Sequence, residues 1–77
     1  MSHEKRQERI ALTEQYLRAI LDKNGSIKIW EFKKFIMEKL EVTEVTAISY
    51  IDLVKRRPDF DHNGFDIFYK NKKPEVF

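Results

Sequence analysis

Asp59-Phe60-Asp61-His62-Asn63-Gly64, DFDHNG in one-letter code, admits two readings that lead to different folds. Asp59, Asp61, Asn63 and Gly64 occupy the first, third, fifth and sixth places of a loop that wraps a hard cation. The rest of that loop does not follow. Its twelfth place needs a bidentate carboxylate and holds Lys70, and its eighth, usually aliphatic, holds Asp66. Ile67-Phe68-Tyr69 is aromatic and strand-like, with Pro74 close behind, where a helix should leave the loop. A second stretch echoes the same pattern with Asp22, Asn24, Gly25, Ile27 and Glu31, but Ile20 stands where its first oxygen ligand should be. A hard ion takes about six or more oxygens, so each stretch lacks an essential ligand. No metal site is expected.

The same residues read well as a β-hairpin. Beyond Pro58 the apolar pattern has a period of two, and Asn-Gly is a common two-residue hairpin turn because both positions need positive φ. Taking Asn63-Gly64 as that turn places His62 opposite Phe65 and Phe60 opposite Ile67. One face is then Phe60, His62, Phe65, Ile67 and Tyr69. The other sets Asp61 opposite Asp66, a like-charge pair, and carries Phe68.

Upstream the period is helical. Residues 4–22 contain neither Pro nor Gly, and Ile10, Tyr16, Leu17, Ile20 and Leu21 form an apolar stripe. Asn24-Gly25 stops this first helix, and Ser26 to Ile29 suits a short strand. From Trp30 a second helix is predicted, with Phe32, Phe35, Ile36 and Leu40 on one face and Lys33, Lys34 and Glu38 outside. Leu40 to Thr43 breaks it. Thr43 is placed to cap a third helix running from Glu44 to Arg56 or Arg57, with Val45, Ile48, Ile51 and Val54 inward and Pro58 ending it. So short a connection makes the last two helices meet at an angle within one core.

Length and composition narrow the function. Seventy-seven residues, 42% of them apolar and including six Phe, three Tyr and one Trp, suit one small domain over 1–77, with 70–77 as a basic tail. With no Cys there is neither a disulfide nor a thiolate metal site. No apolar run approaches a membrane span or a signal sequence, so a soluble, cytoplasmic protein is expected. The net charge of +2 is small, but its order is informative: Lys55-Arg56-Arg57, then Asp59, Asp61 and Asp66, then Lys70, Lys72 and Lys73. Folding can turn that succession into two basic patches.

The segments IWEFKKFIMEKLEVTEVTAISYIDLVKRR and PDFDHNGFDIFY, taken in order, resemble the helix pair and wing of a small winged helix-turn-helix domain. Leu40-Glu41-Val42-Thr43 is similar to the Leu-Gly-Val-Ser sort of turn in that family, with Glu41 in place of the glycine. The resemblance is one of element order and covers most of the chain. It implies an α+β fold of three helices followed by a hairpin wing, with a short strand before the second helix. It also implies sequence-specific binding of double-stranded DNA, with helix 43–57 in the major groove and hairpin 59–69 as the wing. Candidate nucleic-acid contacts are then Thr46, Ser49 and Tyr50 on the helix, Lys55, Arg56 and Arg57 at its end, and Lys70, Lys72 and Lys73 after the wing. Lys5, Arg6 and Arg9 open the first helix and are further candidates for backbone contact.

Two alternatives stand beside this one. Tyr50, Leu53 and Phe68, if exposed, suit a winged-helix module that binds protein and no DNA. The helix–loop–helix spacing around Gly25 also fits a degenerate EF-hand-like structural protein. The reading helix lacks Arg, Gln or Asn in its first turns, so a homodimer or a partner protein is expected to supply specificity. Size and style suggest a transcription regulator from a phage, a plasmid or a microbial chromosome. Catalysis is not expected and no cofactor is implied. His3 and His62 are the only histidines, no base is placed near Ser26 or Ser49, and two glycines make no phosphate-cradling loop.

Overall fold

The computed structural model describes residues 3–71, with side chains from residue 5 onward. Its elements run α1 (His3–Asn24), β1 (Ser26–Lys28), α2 (Ile29–Leu40), α3 (Glu44–Lys55), β2 (Phe60–His62) and β3 (Asp66–Tyr69). This is the expected order of a winged helix-turn-helix arrangement, short first strand included. The three strands form one antiparallel sheet in the order β1-β3-β2.

Local chemistry sets the boundaries. Gly25, at φ 85°, ends α1, and its N–H closes onto the Leu21 carbonyl at 2.8 Å. Thr43, in extended backbone, caps α3 by accepting from the Thr46 N–H. Between α2 and α3, Glu41 takes the left-handed conformation at φ 54°, the position a glycine would fill without strain. The Glu41 and Val42 N–H groups both donate to the Met37 carbonyl, so a glutamate completes the turn.

The core joins every layer: Leu17 and Leu21 from α1, Phe32 and Ile36 from α2, Ala47, Ile51 and Val54 from α3, Phe60 from β2 and Ile67 from β3. Thr13 is fully buried beside them, its hydroxyl donating to the Arg9 carbonyl at 2.8 Å.

Two expectations are corrected. On α3 the inward stripe is Ala47, Tyr50, Ile51 and Val54, whereas Val45 is 78% and Ile48 48% exposed. The Val45-Ile48-Ile51-Val54 series steps by three. At 3.6 residues per turn its ends lie about two and a half turns apart, on opposite sides of the helix. The observed stripe has the i, i+3, i+4, i+7 spacing of one face.

The ribbon register also differs. Phe60 pairs with Tyr69, Asp61 with Phe68 and His62 with Ile67. Asn63 lacks the positive φ that a two-residue Asn-Gly turn requires. Its side-chain Oδ1 instead accepts from the Phe65 and Asp66 N–H groups at 3.1 and 2.9 Å, which widens the loop. A shift of two residues keeps each strand's faces, so Phe60, His62, Ile67 and Tyr69 still share a side. Phe65 drops out to the loop and is 76% exposed. Asp66 escapes Asp61 and lies opposite Lys28, with which it forms a 3.9 Å ion pair. Phe68, on the other face from the core residues of the sheet, is buried rather than exposed.

Candidate nucleic-acid interface

The correction on α3 decides which side chains its free surface offers. With Ala47, Tyr50, Ile51 and Val54 inward, the outer ridge is Val45, Ser49, Asp52 and Arg56, flanked by Ile48 on one side and Leu53 on the other. Thr46 and Ser49 lie half-buried on the flank toward α1. Tyr50 is only 5% exposed, so its ring belongs to the body of the protein and not to the reading surface assumed for it. Strand β2 packs against α3, and His62 at its end lies near enough to favour the charged form of Asp52.

The basic run that ends α3 is occupied by the protein's own carboxylates. Lys55 Nζ lies 3.2 Å from Asp52, Arg56 Nη2 3.5 Å from the same carboxylate, and Arg57 Nε 3.0 Å from Glu14 on α1. Hydrogen bonding from Lys55, with its charge and that of Arg56 in support, holds the Asp52 carboxyl below its usual range. Such exposed pairs are weak, about 0.2–1 kcal/mol each, and an incoming phosphate competes with them on similar terms.

Asp59, first in the stretch that resembled an ion loop, is bound to Arg18 at 2.7 Å. Arg18 also grips Glu14 at 2.7 and 2.9 Å and lies over the Phe60 ring at 5.0 Å. Hydrogen bonds to Asp59 first, then to Glu14, push the guanidinium pKa further above its already high value. Arg18 and Glu14 thus tie α1 to both the end of α3 and the entry to the wing, a role for the acidic stretch that no sequence motif announces. Lys70 is exposed beyond β3, and its N–H donates to the Asp59 carbonyl at 2.9 Å. Lys72 and Lys73 lie outside the described residues.

A different set of cations meets α3 at its beginning. Lys5, Arg6 and Arg9 of α1, with Val45, Thr46, Ser49 and Tyr50 of α3, line an open cleft of about 630 Å³. Arg6 Nη2 reaches across it to Ser49 Oγ at 3.4 Å. Among the described residues none of the three cations has an ion-pair partner and no acidic side chain lines the cleft. A second groove of about 560 Å³, lined by Gln7, Ile10, Ala11, Glu14, Leu53, Arg56 and Arg57, runs between the same helices.

Among the described residues no helix is long and apolar enough to cross a membrane. No protein-family model matches the chain, and neither a curated protein nor a solved structure matches it. The winged-helix assignment therefore stands on the arrangement of its elements.

Proposed function

We propose that the protein binds double-stranded DNA in a sequence-dependent way, placing α3 in the major groove with the β2–β3 ribbon beside it as the wing. The observation that carries this reading is the uncovered outer ridge of α3, with a cation-lined cleft along one flank and strand β2 of the wing packed against the same helix. Val45 and Ile48 present apolar surface for thymine methyl groups, Ser49 and Thr46 offer hydroxyls, and Asp52 is an acceptor suited to a cytosine amino group. Lys70, Lys72 and Lys73 follow the second wing strand and would add charge toward a neighbouring phosphate. A small regulator acting as a homodimer fits a monomer face with few discriminating groups. We read the chain as non-catalytic, since what the cleft at the start of α3 gathers is cations and hydroxyls.

A second reading has its own support. Val45, Ile48 and Leu53 are exposed on the helix meant to read bases, and the three cations at its end already have carboxylate partners. That surface also suits a helical or apolar partner protein, or a second copy of the chain. Titrating the full chain into short duplexes of mixed sequence at two salt concentrations separates the two. DNA binding predicts complexes at low salt that weaken steeply as salt rises. Retention of a partner protein with no duplex binding at low salt supports the docking module instead.

A further inference from the structure

The phosphate contacts expected of this fold have a better source than the basic run that the sequence advertises. Lys55, Arg56 and Arg57 face Asp52 and Glu14 at 3.0–3.5 Å, so a carboxylate already offsets part of the charge that a phosphate would meet there. Lys5, Arg6 and Arg9 face no such competitor among the described residues. Their i, i+1, i+4 spacing turns all three into the one cleft that runs along the start of α3. Glu8, the acidic residue between them, is not part of its lining.

The walls complement one another. Cations come from α1 and the Thr46 and Ser49 hydroxyls from α3, which is a donor set for the oxygens of a phosphodiester. The Arg6–Ser49 contact, at 3.4 Å, is at the long limit of a hydrogen bond, so both groups are available to a stronger acceptor. An acidic protein side chain would meet the same charge. A continuous polyanion engages all three cations at once, and the cleft that they line is open to solvent.

Resting on the DNA reading, we propose that the α1–α3 cleft seats the phosphate backbone of one strand, with Lys5, Arg6 and Arg9 as the phosphate contacts that register α3 in the adjacent groove. Each phosphate neutralised adds about 0.9 to the slope of log affinity against log salt.

The test measures binding of a fluorescent duplex of mixed sequence across a salt series. It compares the wild-type chain, the Lys5→Ala/Arg6→Ala/Arg9→Ala variant and the Arg56→Ala/Arg57→Ala variant. Lys5, Arg6 and Arg9 are exposed, so the triple variant should melt close to the wild type, and melting curves check this. A variant with Arg6→Lys and Arg9→Lys keeps the charge and should keep the slope. The triple variant is expected to flatten the slope by about two to three, with at least a tenfold loss at low salt. The Arg56/Arg57 variant should change the slope by less than about one. Wild-type binding with an unchanged slope in the triple variant overturns this inference and leaves DNA binding intact. Absence of wild-type duplex binding at the lowest salt removes the DNA reading and this inference together.

Discussion

Glu41 sits where the backbone asks for a residue without a Cβ. Its φ of 54° is in the left-handed region, and the turn is completed by two N–H groups on the Met37 carbonyl. Glu41 is exposed and its side chain makes no hydrogen bond or ion pair with the other described residues. Glu41→Gly should therefore raise stability by about 0.5–1 kcal/mol, read as a higher denaturant midpoint at unchanged slope. Tyr69 tests the opposite kind of site. Its hydroxyl donates to Asp22 Oδ1 at 2.9 Å and to the Arg18 carbonyl at 3.3 Å. Burial first, then the hydrogen bond and charge of Asp22, raise its pKa above the ordinary phenol value. A pKa raised by folding gives stability that is complete below the unfolded value, near 10, and lost as pH rises through the folded one. Tyr69→Phe should cost about 1 kcal/mol at neutral pH. Alkaline melting should show the wild type losing that advantage above about pH 10, where the unfolded phenol ionises first.

At the scale of elements, α3 and the wing show what a sequence pattern can and cannot convey. The helix boundaries were legible because caps and breakers act locally: Thr43 and Pro58 bracket α3, and Asn24-Gly25 closes α1. Even the three-residue β1 was legible. The face of α3 was not, because Val45 and Ile48 have the chemistry of core residues while Ala47 and Tyr50 look neutral. Only the 3.6-residue period favours Ala47, whose small side chain lets α3 pack closely against its neighbours. The variants separate these faces. Ile51→Ala should cost about 2–5 kcal/mol, whereas Val45→Ala should stay within about 0.5 kcal/mol, both read from equilibrium unfolding. The wing register was hidden for a related reason. Asn63 can make an Asn-Gly turn or an Asx turn, and its pairing with Asp66 belongs to a sheet completed by β1, residues distant in the chain. That third strand gives Asp66 a lysine partner, and the like-charge pair expected across the ribbon does not form.

For the whole molecule, the consequence is a redistribution of charge that no linear reading displays. In the conspicuous Lys55-Arg56-Arg57 run, Lys55 and Arg56 pair locally with Asp52 while Arg57 reaches Glu14 on α1, and Arg18 links Glu14 to Asp59. The inconspicuous cations of the first helix line a cleft beside the outer ridge of α3 only because α1 and α3 pack against each other. Of the candidate contacts, Thr46 and Ser49 line that cleft, Tyr50 is largely buried in its wall, and Lys55 to Arg57 and Lys70 lie elsewhere. The DNA proposal needs α3 and the start of α1 to form one duplex-facing surface. Amide chemical shifts of the full chain, followed during titration with a mixed-sequence duplex at low salt, map that surface directly. The largest changes are expected at Lys5–Arg9 and Val45–Arg56, with smaller ones at His62–Asp66 and little at Lys33–Leu40. Changes concentrated around Trp30 and the middle of α2 with α3 unaffected, or no changes at all, would contradict it.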